Sequence, residues 1–320
     1  MPLCLTTLPR FFPNEKLILF GFGAMGRRVL RYYSSCKNTN IVAIADNYAF
    51  PDPSDPLRTV IPLIRPEDLP KYEYDRILVT NEDPKPLAAI ARQLETLHIP
   101  ENKITYLHDV PPLRTEILSS CNEYDEATDP RVRWLCNFAQ YAMEKGLSGN
   151  TAECGVLYGD FSFFINKYFP NKTLYLFDTF AGFTADDLAA ERRLQNPMFL
   201  DGEFNNEEYF SHNSVDIVKR KLLHFEKCVV KKGFFPETTA GIEDVFCFVM
   251  LDMDLYQPML AGLEWFYPRM VSGGVLLLHD YAHPSLPGVR QAVHDYEQQH
   301  QVSLCTCPIG DFGSLAVIKP

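Results

Sequence analysis

Short apolar runs alternate with helix-length segments along most of the chain, and this alternation limits the fold more than any other feature. KLILF (16–20), IVAIAD (41–46), RILVT (76–80) and ITYL (104–107) are separated by glycine turns, a proline-rich stretch and a helical pattern over 86–97. Such alternation predicts βαβ units and a parallel sheet. A second series begins after residue 150, with TAECGV (151–156), TLYLFD (173–178), CVVKKGFF (228–235), DVFCFVMLDMD (244–254) and GGVLLLHDY (273–281). Helical patterns over about 161–168, 214–225, 257–268 and 287–299 lie between these runs. The chain closes with VSLCTCPIGDFGSLAVIKP, which predicts two strands paired in a hairpin across residues 310–313. The expected fold class is α/β, with two Rossmann-like parallel-sheet domains, the C-terminal one closed by an antiparallel hairpin.

The length of 320 residues fits two domains at roughly 150 residues each. The expected division is a small domain over 1–112, a linker and connecting helix over 113–147, and a larger domain over 148–320. Hydrophobic residues make up 46% and charged residues 22%, the mix of a soluble globular chain. The apolar runs are too short to span a bilayer. The opening MPLCLTTLPRFFPNEK has no basic stretch followed by a long apolar one, so no signal peptide is expected. Nine scattered cysteines without a C-x-x-C pair point to a reduced, cytoplasmic protein and no zinc cluster. The net charge is −11, which argues against nucleic acid as a partner. Residues 1–112 are neutral, so residues 113–320 carry all of it.

Gly21-Phe-Gly23-Ala-Met-Gly26 follows a strand pattern and opens a helix, and Asp46 stands at the end of the next strand. This is the dinucleotide fingerprint in its proper context. The glycines would let the backbone approach a phosphate at the helix N-terminus, and Asp46 could accept from a ribose hydroxyl. Close packing at a tight strand–helix junction asks for the same glycines, and no catalytic pair accompanies them. Residues 16–107 resemble the small Rossmann-like domains attached to bacterial glycan-biosynthesis enzymes.

The second half carries more chemistry. Thr151-Ala-Glu153-Cys-Gly155-Val-Leu-Tyr-Gly159-Asp160 ends one strand and opens a helix, and the next strand ends at Asp178. The next two strands also end in acids, at Asp252-Met-Asp254-Leu-Tyr256 and at His279-Asp280-Tyr281. Ligands of open α/β sheets sit at strand carboxyl ends. Adjacent strand ends would bring Asp254 near Asp280, where a hard cation such as Mg²⁺ could neutralise them and activate a hydroxyl. Alternatively, Asp252 or Asp254 caps the following helix.

AECGVLYGD, LFDTFAGF, KKGFFPETT, LDMDLYQPMLAGLEWFYPRMVSGG and HDYAHPSLPGVRQAVHDY, in this order, resemble the macrocin O-methyltransferase family over residues 130–320. The resemblance implies a class I methyltransferase sheet and a Mg²⁺-assisted transfer of methyl from S-adenosylmethionine (SAM) to a sugar hydroxyl. It implies a SAM site at Glu153, Gly155, Gly159, Asp178 and Asp252. It also carries the family's D-x-D-x-Y onto Asp252, Asp254 and Tyr256, and its second D-D-Y aspartate onto Asp280. Asp254 and Asp280 are then the metal candidates, with Asp254 also the candidate base. The family usually has aspartate where this chain has His279. His279 is a third metal candidate, although a histidine suits softer ions than Mg²⁺, so the metal could be absent or different. His279 could instead be the general base, or pack in the core.

The acidic, aromatic insert 182–212, with Phe199, Phe204, Tyr209, Phe210 and His212, resembles the family's lid. Lys219-Arg220-Lys221 reads as a solvated helix face and Trp265-Phe266-Tyr267 as packing. The expected partner is a small sugar or glycoside, with no nucleic acid and no membrane; a homo-oligomer is compatible with the sequence. Two rival readings are a catalytically decayed SAM- or nucleotide-binding module, and an NAD-dependent oxidoreductase built on residues 16–46.

Overall fold

The alternation of strands and helices forms two separate sheets. The computed structural model describes residues 11–35, 40–48, 61–82, 84–124, 126–196, 199 and 213–320. The chain divides into two compact units, Met1–Glu123 and Tyr124–Pro320.

The first unit holds strands β1 (Leu17–Phe20), β2 (Ile41–Ala45), β3 (Leu63–Ile64), β4 (Arg76–Val79) and β5 (Ile104–Tyr106), with helices α1 (Ala24–Ser35), α2 (Pro84–Thr96) and α3 (Pro111–Ser120). The strands are parallel in the order β3-β2-β1-β4-β5. Val29 and Leu30 of α1 and Leu113 and Ile117 of α3 cover one face, and Ile90 and Leu94 of α2 cover the other. Burial on both faces explains why β1 and β4 read as continuous apolar runs.

Residues from 113 onward read as linker in the sequence, yet α3 is part of the first unit's core. Leu113, Ile117 and Leu118 are fully buried. Arg114, polar in the pattern, is also buried and donates to Glu82. A buried, paired arginine breaks the apolar periodicity from which a helix is recognised.

The second unit begins with α4 (Pro130–Glu144), β6 (Asn150–Cys154), α5 (Asp160–Tyr168), β7 (Leu174–Asp178), α6 (Ala185–Arg193) and α7 (Val215–Lys221). It continues with β8 (Cys228–Lys232), β9 (Phe246–Leu251), α8 (Tyr256–Phe266), β10 (Met270–Leu278), α9 (Pro287–His300), β11 (Cys305–Pro308) and β12 (Leu315–Ile318). Its sheet runs β11-β12-β10-β9-β6-β7-β8. β12 is antiparallel to both β10 and β11, forming the expected hairpin, while β10, β9, β6, β7 and β8 are mutually parallel. Met259, Leu263 and Phe266 of α8 and Val289 and Val293 of α9 pack on one face. Leu135 and Phe138 of α4 and Phe164 and Ile165 of α5 pack on the other. Phe266 lies edge-on to Phe246 and Phe177, with ring centroids 5.1 and 5.9 Å away, so the 265–267 run does pack.

Of the insert, α6 and Phe199 are described. Phe199 is buried and edge-on to Phe183 at 6.2 Å. Phe204, Tyr209, Phe210 and His212 lie outside the described residues. Among the described residues, no helix is long and apolar enough to cross a membrane.

The basic run on α7 differs from its sequence reading. Lys221 is buried, and its Nζ lies 2.6 Å from Oδ1 of buried Asp160 at the start of α5. A seven-residue helix cannot keep three successive cations in water while one of its faces packs. Removing one partner of a buried ion pair costs about 3–5 kcal/mol. Lys221→Met should therefore lower unfolding stability by about that amount in urea denaturation, and the double variant with Asp160→Leu should recover much of the loss.

Candidate active site

Strand β9 sets the geometry. It is fully buried and paired on both sides, and its two ladders continue one step past its end. The Asp252 N–H donates to the Cys154 carbonyl at 2.8 Å, and the His279 N–H donates to the Leu251 carbonyl at 2.9 Å. Gly155, Asp252 and His279 therefore stand side by side where β6, β9 and β10 stop. Gly155 has φ +84°, and a Cβ on it would lie 1.8 Å from the Asp252 carbonyl oxygen, so no other residue fits. A cavity of about 590 Å³ opens here, a volume usual for a small-molecule site. Gly155, Asp178, Asp252, Asp254, His279 and Asp280 line it, together with apolar Phe177, Phe235, Met253 and Leu286.

Asp178 sits on the cavity wall and also holds the glycine loop. Its Oδ2 accepts from the N–H groups of Val156 at 2.7 Å and Leu157 at 2.9 Å, and its Oδ1 accepts from Phe180 at 2.6 Å. Burial pushes its pKa up and these donors pull it back. Glu153 and Gly159 are not among the lining residues. Glu153 is buried and accepts from Ser162 of α5. Gly159 is the left-handed N-cap of α5 and packs against Val218.

Neither Asp252 nor Asp254 caps α8. The backbone N–H of Tyr256 donates instead to buried Glu191 of α6, at 2.7 Å. The Tyr256 hydroxyl donates to Asp295 at 2.8 Å. Asp254 and Asp280 are both left-handed, with φ +59° and +57°. Strain of this kind, about 1–3 kcal/mol per residue, collects at functional sites. The two carboxyls are close enough for each to perturb the other. Burial and the neighbouring acids Asp252 and Asp280 hold the Asp254 carboxyl far above the usual range. Like charges in contact resist both ionising, which adds to the effect of burial on Asp254.

His279 lies between acids and a base. Its Nδ1 is 2.9 Å from Asp252 Oδ1 and 2.8 Å from Asp280 Oδ2. Neither oxygen lies along the ring N–H direction, so Nδ1 makes no aligned hydrogen bond. Its Nε2 is 2.6 Å from Nη1 of Arg131. Burial disfavours a charged ring and the neighbouring Asp252 and Asp280 favour one, but the Arg131 N–H group 2.6 Å from Nε2 occupies the place of a second ring proton. The guanidinium is a donor without a lone pair, so Nε2 must accept. With Nε2 accepting, the ring proton is on Nδ1, close to both carboxylates but aligned with neither.

Asp252, His279 and Asp280 could hold a metal by position, since one donor atom of each lies within 4.8 Å of the others. The surroundings of the ring do not fit. A metal-bound histidine donates its other N–H to a carboxylate, carbonyl or water, whereas here the other nitrogen faces a cation. SAM does fit: the cavity is large, part apolar and part acidic, as an adenosyl sulfonium requires.

In the first unit, Asp46 accepts from the N–H groups of Phe22 and Tyr48, each at 2.7 Å. A Cβ on Gly26 would lie 2.2 Å from the Gly21 carbonyl oxygen, and Gly21 itself has φ +107°. Nothing lies within 4 Å of a Cβ on Gly23. Gly21 and Gly26 thus serve the close strand–helix junction, while Gly23 is unobstructed.

The family model described as macrocin-O-methyltransferase (TylF) matches residues 124–315, more than half of the chain. The chain belongs to this family. It is accordingly a SAM-dependent O-methyltransferase, its second unit carrying the class I sheet. A second family model, described as C2185-like, N-terminal, matches residues 13–105. Mycinamicin III 3''-O-methyltransferase of Micromonospora griseorubida is 28% identical over 193 residues, covering 54% of this chain and 70% of the relative. A Streptomyces olivaceus 8-demethyl-8-(2,3-dimethoxy-alpha-L-rhamnosyl)-tetracenomycin-C 4'-O-methyltransferase is 26% identical over 186 residues, covering 51% of this chain and 65% of the relative. The solved structure of the O-methyltransferase NovP matches with a TM-score of 0.50 at 20% identity, covering 59% of this chain and 79% of that one. That likeness shows the fold.

Sequence reasoning missed Arg131 and Glu191. Asp129-Pro130 does announce a helix start: Asp129 accepts from the Arg131 and Val132 N–H groups and proline stands at N1. Nothing local says that the next residue reaches a histidine 148 positions away.

Two outcomes follow from the buried acids. Asp178→Ala should weaken SAM binding at least about tenfold in calorimetry, since the unheld loop leaves N–H groups worth about 1–3 kcal/mol each unsatisfied. Burial raises the Glu153 carboxyl well above its ordinary value. The folded chain therefore keeps a proton that the unfolded chain releases above about pH 4, and stability falls as pH rises beyond that point. Urea midpoints measured from pH 5 to 8 should decline less steeply for Glu153→Gln than for the wild type.

Proposed function

We propose that the second unit methylates a hydroxyl of a sugar or of a glycosylated small molecule. When bound, SAM supplies the methyl group and a sulfonium charge. The observation that carries the reading is the group of carboxylates at the ends of β9 and β10, on the wall of one cavity. Asp187, Gln257 and His283 add polar partners for an acceptor with several hydroxyls. The names of the two relatives, one of which specifies a rhamnosyl group, support a sugar acceptor.

Catalysis of this kind rests mainly on holding the acceptor oxygen in line with the methyl carbon. Asp254 is the candidate base. Burial and the acids beside it raise its pKa, and a cation in the cavity draws it toward the charged form, its proton leaving to solvent. In that form it accepts the hydroxyl proton. His279 keeps its Nε2 lone pair on Arg131 and presents Nδ1 between Asp252 and Asp280. No step is routed through a metal.

Transfer of labelled methyl from SAM to a panel of sugars and glycosides tests this reading. Asp254→Asn should lower kcat by about 10²–10⁴, the usual worth of a general base, with SAM affinity retained in calorimetry. SAM binding without transfer to any acceptor would count against the enzyme, and full activity in Asp254→Asn would remove Asp254 as base.

A further inference from the structure

His279 stands between Asp252 and Asp280, and Arg131, which sequence reasoning missed, stands directly behind it. We propose that the Nδ1 proton of His279, fixed there by Arg131, occupies the place of a divalent cation between Asp252 and Asp280, so that this chain needs no metal. The inference rests on the methyltransferase reading for its chemistry, but its main test does not.

Three observations carry it. The first is position. Nδ1 lies 2.8 and 2.9 Å from carboxylate oxygens of two strand ends, where a shared cation would otherwise stand. The second is the sign of the charge behind the ring. Arg131 is buried, and its Nη2 and Nε bind Asp129 at 2.9 and 3.3 Å. Its guanidinium stacks on the Tyr124 ring at 4.3 Å, so it is fixed with Nη1 aimed at His279 Nε2 at 2.6 Å. A metal on Nδ1 would force the proton onto Nε2, against a guanidinium N–H. The third is compensation of the acids. Acids gathered in a partly buried site need donors or cations close by, and a ring whose Nε2 accepts from a guanidinium presents them with a polarised Nδ1–H, the charge of the guanidinium itself being paired with Asp129. Arg131 is thus a positioning residue that acts on the acids through His279.

No bond to His279 forms or breaks in this role. The ring stands between Asp252 and Asp280 while the acceptor proton passes to Asp254.

Calorimetric titration of the full chain with Mg²⁺ and Mn²⁺ tests the proposal without reference to activity. The wild type should show no saturable binding of either ion, and His279→Asp should gain it. Long-range ¹H–¹⁵N spectra of the wild type should show a protonated Nδ1 and an unprotonated Nε2 for His279, unchanged by added Mg²⁺. That second measurement decides the matter even if His279→Asp folds poorly. Saturable Mg²⁺ binding by the wild type that is lost in Asp280→Ala, or a ring protonated on Nε2, would overturn it. In the methyl-transfer assay, EDTA should leave the wild-type rate unchanged. Arg131→Met should lower kcat about 10–100-fold, the effect of removing a residue that supports a metal ligand, with SAM affinity retained. If the chain fails to bind SAM, the methyltransferase reading falls, while the titration still decides the question of the metal.

Discussion

The close pass of the Asp252 carbonyl against Gly155 is the contact on which the rest of the site depends. It exists because β9 is hydrogen-bonded to β6 and β10 at once and both ladders run one residue past the strand. That extra step brings the Gly155 loop, Asp252 and His279 into one row. It also requires a residue without a side chain at 155, since a Cβ would sit 1.8 Å from the carbonyl oxygen. The cavity, the acid cluster and the loop that would cradle a cosubstrate all follow from the termination of three neighbouring parallel strands.

One device appears in both units although their sequences show no repeat. In each, the acid that ends the second strand turns back to accept N–H groups of the glycine loop after the first. Asp46 does this for Phe22, and Asp178 does it for Val156 and Leu157. A tight strand–helix junction exposes backbone donors that the helix cannot use, and a carboxylate on the adjacent strand end is the nearest acceptor. The acid therefore has a structural task before any ribose hydroxyl is considered, and its presence in a fingerprint is evidence of the junction first. The two units differ in what else the strand ends carry: only the second adds the acids of β9 and β10.

Much of this was legible in the sequence. The strands and the hairpin announced themselves, because strands buried on both faces are continuous in apolar residues. Asp254 and Asp280 could be expected to meet because adjacent parallel strands end together. What stayed hidden was every buried charge whose partner is remote. Arg114 masked the core stripe of α3, Lys221 looked solvated, and Glu191 capped a helix far along the chain in place of the local aspartates. Local patterning assigns charge to the surface, so a paired interior charge reads as its opposite.

The excess of acid over base in the second half is resolved at close range in several ways. Asp178 is met by backbone N–H groups, Asp160 by Lys221, and Glu191 by Asn196 and the Tyr256 N–H. Burial and its acidic neighbours push the Asp254 carboxyl toward its neutral form. Asp252 and Asp280 face an imidazole backed by a guanidinium. Each solution keeps a different protonation state: donors from the backbone hold an anion, and a neighbouring acid holds a neutral carboxyl. A site that must take up a proton from a hydroxyl needs both kinds within reach. One carboxyl has to stay poised to ionise when a cation arrives, and its neighbours have to be held in place while it does. The histidine with an arginine behind it meets the second need from within the chain, and the strained backbone at Asp254 and Asp280 turns their side chains toward the cavity where the first need arises.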